Sequence, residues 1–137
     1  MFTHDTQVRV RYAETDQMGF VYYGRYMEYL EVGRVEMMRA RGIPYRLVEE
    51  KGIWMPVTHV ELKYKAPGRY DELLTIRTHI RQMPRATLDF EFEIFKEDGS
   101  LSLEAIVKLA FLDRERQRPV RAPQFVLDAL SDEKMKK

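Results

Sequence analysis

The alternation of apolar and polar residues in the second half of the chain is the feature that most limits its fold. Four segments carry apolar side chains at every second position, at residues 58–66, 73–81, 88–95 and 101–112. This spacing is typical of β-strands with one buried face. Asp98 and Gly99 lie between the last two segments and favour a tight hairpin turn. These two strands are therefore predicted to be antiparallel neighbours.

The first half of the chain adds one strand and one long helix. Residues 8–12 alternate apolar and polar side chains and predict a short strand. From about residue 23 to residue 41, apolar residues recur at intervals of three and four, and Gly42 with Pro44 forms a stop signal. Gly33 inside this helix costs about 1 kcal/mol relative to alanine. Either that cost is simply tolerated, or another element packs closely against the helix there.

One long helix and five strands predict an α+β domain in which the helix covers one face of a mostly antiparallel sheet. The polar outer faces of the strands indicate that a single chain buries only one face of this sheet. With 137 residues, we expect one domain over residues 1–137. Its C-terminal part is predicted to hold a proline-bounded segment, a short helix and a charged tail of about ten residues.

The composition argues against several function classes. Lysine and arginine total 23 against 22 acidic residues, so the formal net charge of +1 gives no overall attraction to nucleic acid or an anionic membrane. The absence of cysteine excludes disulfides, thiolate metal sites and a cysteine nucleophile. No serine lies in a Gly-x-Ser-x-Gly turn, and the histidine spacing does not predict a metal site. We therefore expect no metal and no cofactor.

The start of the chain lacks a positively charged end followed by an apolar run, which a signal peptide would show. No segment approaches the roughly 20 apolar residues that a membrane-spanning helix needs. We expect a cytoplasmic protein without a membrane span.

The loop Tyr-Ala-Glu-Thr-Asp-Gln-Met-Gly-Phe before the helix is the candidate for chemistry. Asp16 lies there, a few residues before a helix N-terminus, where backbone N–H groups lack intrahelical partners. If a carbonyl lay over this end, the amides of Tyr23 and Gly24 could stabilise a developing oxyanion. The Asp16 carboxylate could then act as a general base or a nucleophile. The structural alternative is an Asx-turn or helix-capping aspartate, with Gly19 in the same turn.

Residues 9–34 resemble the signature of the 4-hydroxybenzoyl-CoA thioesterase family, whose members have the hotdog fold. The signature combines a basic strand, a Thr-Asp pair, a glycine, an apolar pair, an aromatic residue and a tyrosine on the first helical turn. The matching residues are Thr15, Asp16, Gly19, Phe20, Val21, Tyr22 and Tyr26. Further similarity in residues 64–80 and 119–123 extends the resemblance through nearly the whole chain. It implies a long helix wrapped by a curved antiparallel sheet.

The resemblance also implies a function, acyl-CoA hydrolysis. Asp16 would be the catalytic carboxylate, the Tyr23 amide the oxyanion donor with Gly24 beside it, and Gly19 the residue that permits the tight loop. Some related thioesterases place a catalytic glutamate on the helix, for which Glu31 is the candidate. Phe20 stands where we expect Ile or Val and would narrow the acyl pocket.

Phosphates of coenzyme A would require cations near the site. Five basic residues in and around the strand turns are available, although each taken alone is more simply explained as a solvated charge. They are Lys63, Lys65, Arg69, Arg81 and Arg85.

The resemblance implies an assembly as well, a homo-oligomer (a dimer, or a tetramer of hotdog dimers) with active sites at the subunit interface. Two other functions stay open from the residues. One is hydrolysis of acyl groups on an acyl carrier protein. The other is a hotdog protein that binds acyl-CoA without turning it over.

Overall fold

The computed structural model describes residues 2–131 as one curved antiparallel sheet and three helices. The strands of this region are β1 (Phe2–Arg9), β2 (Ile53–Trp54), β3 (Val57–Tyr64), β4 (Leu73–Ile80), β5 (Thr87–Phe95), β6 (Leu101–Asp113) and β7 (Arg118–Val120). The helices are α1 (Tyr26–Ala40), α2 (Tyr45–Glu50) and α3 (Gln124–Ala129), and 3₁₀ turns cover Tyr12–Glu14 and Tyr23–Arg25. The predicted α+β class, with one long helix against the sheet, is confirmed.

The five long strands lie in the order β1-β4-β5-β6-β3, and every neighbouring pair is antiparallel. β5 and β6 form the predicted hairpin. Gly99 in its turn has φ +86°, a conformation that glycine adopts readily. The short strands β2 and β7 both pair with the end of β6. Neither was predicted, because two or three residues are too few for alternation to be recognised.

Helix α1 packs mainly on β1 and β4. Tyr26, Leu30 and Met37 on its inner side are each at most 3% exposed. Gly33 lies on the same side, where an added Cβ would approach Ile76 Cγ2 and Thr78 Oγ1 to 2.7 Å. The second interpretation of Gly33 is therefore confirmed, since the sheet packs closely against the helix at this position.

We expect Gly33→Ala to lower the free energy of unfolding. Overpacking of a core costs about 1–3 kcal/mol, and the better helix propensity of alanine offsets only about 1 kcal/mol of that cost. Both contacting side chains are β-branched and therefore have little freedom to move aside. Chemical denaturation measures the change, with exposed Val32→Ala on the same helix as control. A Gly33→Ala protein at least as stable as the wild type would contradict this packing argument.

The first strand differs from its prediction. β1 covers Phe2–Arg9 rather than residues 8–12. Thr3, Asp5 and Gln7 point to solvent at the sheet edge, and Thr6 replaces an apolar residue on the inner side. The strand thus lacks a recognisable apolar alternation, although its backbone pairs with β4 over its full length.

Helix α1 begins at Tyr26 rather than residue 23, because Tyr23–Arg25 forms a 3₁₀ turn instead. Helix α2 was not predicted, whereas the short C-terminal helix is confirmed as α3. Most of the predicted charged tail, from residue 132 onward, lies outside the described residues. None of the helices in residues 2–131 has the length and apolar character to cross a bilayer.

Candidate active site

The loop that carries Asp16 is fixed by backbone hydrogen bonds to its own residues and to the segment before β4. The Asp16 N–H donates to the Phe20 carbonyl at 2.8 Å, and the Gly19 N–H donates to the Asp16 carbonyl at 3.0 Å. Gly19 has φ +82°, which favours glycine at this turn. The Tyr70 N–H in turn donates to the Gly19 carbonyl at 2.9 Å. The position of Asp16 is therefore set by the fold as well as by its own loop.

The two carboxylate oxygens of Asp16 have different surroundings. Oδ1 accepts hydrogen bonds from the N–H groups of Met18, at 2.9 Å, and Phe20, at 3.3 Å. Oδ2 has no hydrogen-bond donor among residues 2–131. The Asx-turn interpretation is thus correct for one oxygen, while the other remains available to a ligand. Asp16 itself is only partly buried and lines a pocket.

Two backbone donors lie at the start of the long helix. The N–H groups of Tyr23 and Gly24 have no acceptor within the described part of the chain, whereas the next amide, that of Arg25, donates to the Tyr22 carbonyl. The turn Tyr23–Arg25 leads directly into α1, so these free N–H groups belong to a helix N-terminus. Such an end attracts negative charge.

An aromatic pocket of about 420 Å³ opens beside Asp16. The rings of Tyr22 and Tyr23 lie 4.7 Å apart, and Tyr64 meets Tyr23 edge to face at 6.4 Å. The Tyr64 hydroxyl donates to the Tyr23 carbonyl at 3.0 Å. Burial, together with Tyr23 and Tyr26, raises the pKa of Tyr64, which keeps this donor protonated. The contact holds the turn that presents the two free amides.

A buried polar network closes the inner end of the pocket. The Tyr26 hydroxyl lies 2.9 Å from Ser102 Oγ and accepts a hydrogen bond from the Gly68 N–H at 3.0 Å. Tyr26 is 2% exposed and Ser102 1% exposed. Because every member has a partner, the network stabilises the pocket floor and leaves no unpaired polar group there.

Glu14 anchors the other side of the loop to helix α1. Its carboxylate accepts hydrogen bonds from the Arg11 N–H, at 2.8 Å, and from the Tyr29 hydroxyl, also at 2.8 Å. Burial opposes the charge of Glu14, yet these donors and the Arg11 guanidinium hold the pKa of Glu14 below its usual value. Burial and Glu14 raise the pKa of Tyr29, so the Tyr29 hydroxyl stays a donor.

We expect this anchor to contribute stability at neutral pH and to lose it in acid. A lowered folded-state pKa means that the unfolded chain binds a proton first, so the contribution disappears as the pH falls through the folded pKa. Glu14→Gln should lower the free energy of unfolding by about 1–3 kcal/mol at pH 7. The difference from wild type should shrink toward pH 3. Parallel pH profiles for the two proteins would count against this role, and Glu49→Gln, at an exposed position on α2, is the control.

The structure brings only part of the predicted site together. Gly19, Phe20 and Gly24 lie at or beside the pocket, and Lys65 lines it. Lys63 lies on the outer face of β3 instead. Arg85 follows the far end of β4, an eight-residue strand about 26 Å long. Within one chain, Arg85 is therefore remote from Asp16.

Two further residues were candidates from the sequence, Arg69 for the phosphates of coenzyme A and Glu31 as an alternative catalytic carboxylate. Arg69 places its Cζ 4.8 Å from the Phe20 ring at the edge of the loop. Glu31 lies farther along α1, in a separate groove, and is not part of the Asp16 pocket.

Three residues of this region were missed by sequence reasoning. Glu14 had a local signal, because a carboxylate three residues after Arg11 can accept its backbone N–H. Tyr64 and Ser102 had none, since they reach the pocket from strands far away along the chain.

Comparison with known proteins identifies the family of this chain. Residues 10–130 match the family described as the Thioesterase-like superfamily. The acyl-CoA thioesterase YbgC of Haemophilus influenzae is 32% identical over 120 residues, which cover 87% of this chain and 88% of that protein. The crystal structure of a DHNA-CoA thioesterase from Staphylococcus aureus is 31% identical with a TM-score of 0.86, covering 93% of this chain and 86% of the other.

A more distant neighbour supports the fold alone. A 4-hydroxybenzoyl-CoA thioesterase, solved with 4-hydroxybenzoyl-CoA, is 23% identical with a TM-score of 0.83 and covers 94% of this chain and 99% of its own. The family match spans most of the chain, and the relatives above align over nearly their full length. The chain therefore belongs to the thioesterase-like superfamily of hotdog-fold proteins.

Proposed function

We propose that the protein hydrolyses acyl-CoA thioesters to a carboxylic acid and free coenzyme A, with Asp16 as the catalytic carboxylate. The observation that carries the assignment is the asymmetry of this carboxylate. Oδ1 is held by two backbone N–H groups, while Oδ2 has no donor in the described residues and the side chain lines a pocket. An aspartate that served only as a turn would not need to line an aromatic cavity.

The pocket supports a simple hydrolytic sequence. The thioester carbonyl binds over the free N–H groups of Tyr23 and Gly24, which stabilise the oxyanion as it forms. Asp16 takes a proton from water while the water oxygen bonds to the carbonyl carbon. Collapse of the intermediate breaks the C–S bond, and the thiolate of coenzyme A leaves and takes up the proton. In the alternative sequence Asp16 itself attacks the carbonyl carbon, the C–S bond breaks and the thiolate leaves, and water then hydrolyses the mixed anhydride to the acid and the free Asp16 carboxylate. The same amides stabilise the oxyanions of both steps.

The aromatic walls suit the acyl portion of the substrate and the rim suits its charged portion. Phe20 and Tyr22 present apolar surface at the pocket, and Lys65 lies at its edge. We assign Lys65 to the phosphates of coenzyme A, together with Arg69, whose guanidinium lies over the Phe20 ring at the edge of the loop. Arg85 and Lys63 can serve this site only from another subunit, because one chain holds them away from Asp16.

The assembly proposed from the family resemblance is a homo-oligomer, either a dimer or a tetramer of dimers, and the proposed location is the cytoplasm. The strand β3 supports an assembly, because within residues 2–131 it pairs with β6 along one edge only. An open edge strand is a natural surface for association with another strand.

The test of the proposed function is release of free thiol from short, long and aromatic acyl-CoAs, with the acid identified by mass spectrometry. Matched acyl groups on an acyl carrier protein separate the first alternative, and binding without turnover would favour the second.

A further inference from the structure

A second cavity lies beside β3. It shares no lining residue with the Asp16 pocket, and the proposed reaction uses none of the residues that line it. It is an apolar groove of about 300 Å³ between α1 and the sheet, lined by Leu30, Val57 and Val60 among others. Two charged residues of α1, Glu31 and Arg34, also line it. The groove stays uncovered because α1 packs mainly toward β1 and β4.

Arg34 is the unusual member of this groove. Its guanidinium is partly buried, yet it has neither a hydrogen bond nor an ion pair within residues 2–131, and its Cζ lies 5.9 Å from the Tyr45 ring. Burial lowers the pKa of Arg34, and the charge of nearby Glu31 partly offsets this. A partly desolvated guanidinium without an acceptor is a costly arrangement unless an acceptor arrives with a ligand.

Strand β3 offers a way to connect this groove with the Asp16 pocket. Within residues 2–131 its outer edge is unpaired, and it exposes apolar surface, with Val57 and Tyr64 each 50% exposed. If two copies pair antiparallel through this edge, directly opposed residues point to the same side of the sheet. The twofold axis then lies between one residue of β3 and the same residue of the other copy, and the choice of that residue defines the register.

Charge favours one of these registers, the one that places each Glu61 opposite a lysine of the other copy. An axis at Leu62 places Glu61 opposite the partner's Lys63 and Val60 opposite the partner's Tyr64. Because of the twofold symmetry, each of these pairs occurs twice. An axis at Glu61 or at Lys63 would place like charges directly opposite each other, which is destabilising. The register centred on Leu62 therefore gives two opposite-charge pairs outside and apolar pairs inside.

This register joins the two cavities. Tyr64 lines the Asp16 pocket, and Val60 lines the groove that contains Arg34. Since Val60 of one copy lies opposite Tyr64 of the other, the groove of one subunit continues the Asp16 pocket of its partner. An acyl group whose carbonyl lies at Asp16 would thus extend toward the partner's Arg34.

We propose that Arg34 acts in trans as a specificity residue, recognising an acceptor oxygen at the far end of the acyl group bound at the partner's Asp16. This inference rests on the proposed function. A carboxylate would accept a bidentate pair from the guanidinium, and a hydroxyl could accept from Arg34 while donating to Glu31.

The register is tested by cross-linking, which the absence of native cysteine makes clean. Leu62→Cys is expected to give a disulfide-linked dimer under mild oxidation, because the axis brings this position next to its own copy. Val60→Cys alone should not cross-link, but mixed with Tyr64→Cys it should. Cross-linking of Val60→Cys with itself, or none in any combination, overturns the proposed pairing.

The specificity role is tested with acyl-CoAs of one length that end in a methyl, a hydroxyl or a carboxylate, such as butyryl-, 4-hydroxybutyryl- and succinyl-CoA and their six-carbon equivalents. We expect the wild type to prefer at least one oxygen-bearing member, and Arg34→Met to lower kcat/KM for that member by about 10- to 100-fold. The methyl-ended member should change little. Arg39→Met, on the exposed side of the helix, is the control. Equal losses for all members, or a wild type that prefers the methyl end, overturn the role.

Mixed subunits decide whether Arg34 acts in trans. With excess Asp16→Asn subunits, nearly every Arg34→Met subunit pairs with a partner that retains Arg34 and is itself inactive. Each remaining intact site then combines Asp16 of one chain with Arg34 of the other, so the preference for the oxygen-bearing substrate should return. Failure of the mixture to restore it overturns action in trans. Absence of any acyl-CoA turnover by the wild type would instead refute the proposed function itself.

Discussion

Asp16→Asn is expected to lower kcat for acyl-CoA hydrolysis by about 10²- to 10⁴-fold, the range for loss of a positioned proton acceptor. Asparagine keeps an oxygen at the Oδ1 position, which accepts from Met18 and Phe20. The loop should therefore retain its conformation, and only the basic or nucleophilic oxygen is lost. Steady-state thiol release measures the effect, and chemical denaturation should show a free energy of unfolding within about 0.5 kcal/mol of wild type.

The matched control is Asp89→Asn, an exposed carboxylate on β5 that lies outside the pocket. It should leave the rate unchanged. An Asp16→Asn protein that hydrolyses acyl-CoAs at the wild-type rate would exclude Asp16 from the chemistry, whereas a large loss of stability would mean that the turn role dominates.

Tyr23→Pro is expected to lower kcat by about 10²- to 10³-fold, because it deletes one oxyanion donor. The substitution suits the local backbone. Tyr23 is the first residue of its 3₁₀ turn, and the preceding Tyr22 has φ −62° and ψ 133°, which a following proline accepts. No hydrogen bond within the described residues is lost, since the Tyr23 N–H has no acceptor there. Steady-state kinetics on the preferred acyl-CoA measures the change.

Tyr23→Ala separates the amide from the side chain. It removes the ring that packs against Tyr22 and Tyr64 but keeps the N–H. We expect its kcat to stay well above that of Tyr23→Pro, with any change mainly in KM. Equal losses for alanine and proline would assign the effect to the ring and not to the backbone donor.

The central sheet and the candidate loop were largely predictable because their signals are local. β3, β4, β5 and β6 alternate in sequence, and the Asp98-Gly99 turn fixes one pairing. Asp16 and the helix start are close in the chain, so their proximity follows from the sequence. β1 was misplaced because polar His4 and Thr6 lie on its inner side, so the strand shows no regular apolar alternation in the sequence.

The rest of the site depends on contacts between distant segments, which a single sequence does not specify. Tyr64 reaches the Tyr23 carbonyl across 41 residues, and Ser102 reaches Tyr26 across 76. Both contacts follow from the pairing of β3 with β6 and the curvature of the sheet. The same geometry separates Arg85 from Asp16 within one chain. Both residues had been proposed from the sequence to contact the same substrate molecule.

Asp16 combines two interpretations that the sequence had left as alternatives. Its Oδ1 forms the turn contacts of an Asx motif, and its Oδ2 has no donor in the described chain. A turn that fixes one oxygen also orients the other, so the structural role supports the catalytic one. In the proposed mechanism the carboxylate and the free amides act on the same carbonyl, which fits a loop that directly precedes the long helix.

The measurement that tests the central claim most directly is free-thiol release by the wild-type protein and Asp16→Asn, assayed side by side on short, long and aromatic acyl-CoAs. The predicted result is turnover of at least one acyl-CoA by the wild type and a loss of about 10²-fold or more in the folded variant. Equal rates for the two proteins, or no thiol release by the wild type from any acyl-CoA, would contradict it.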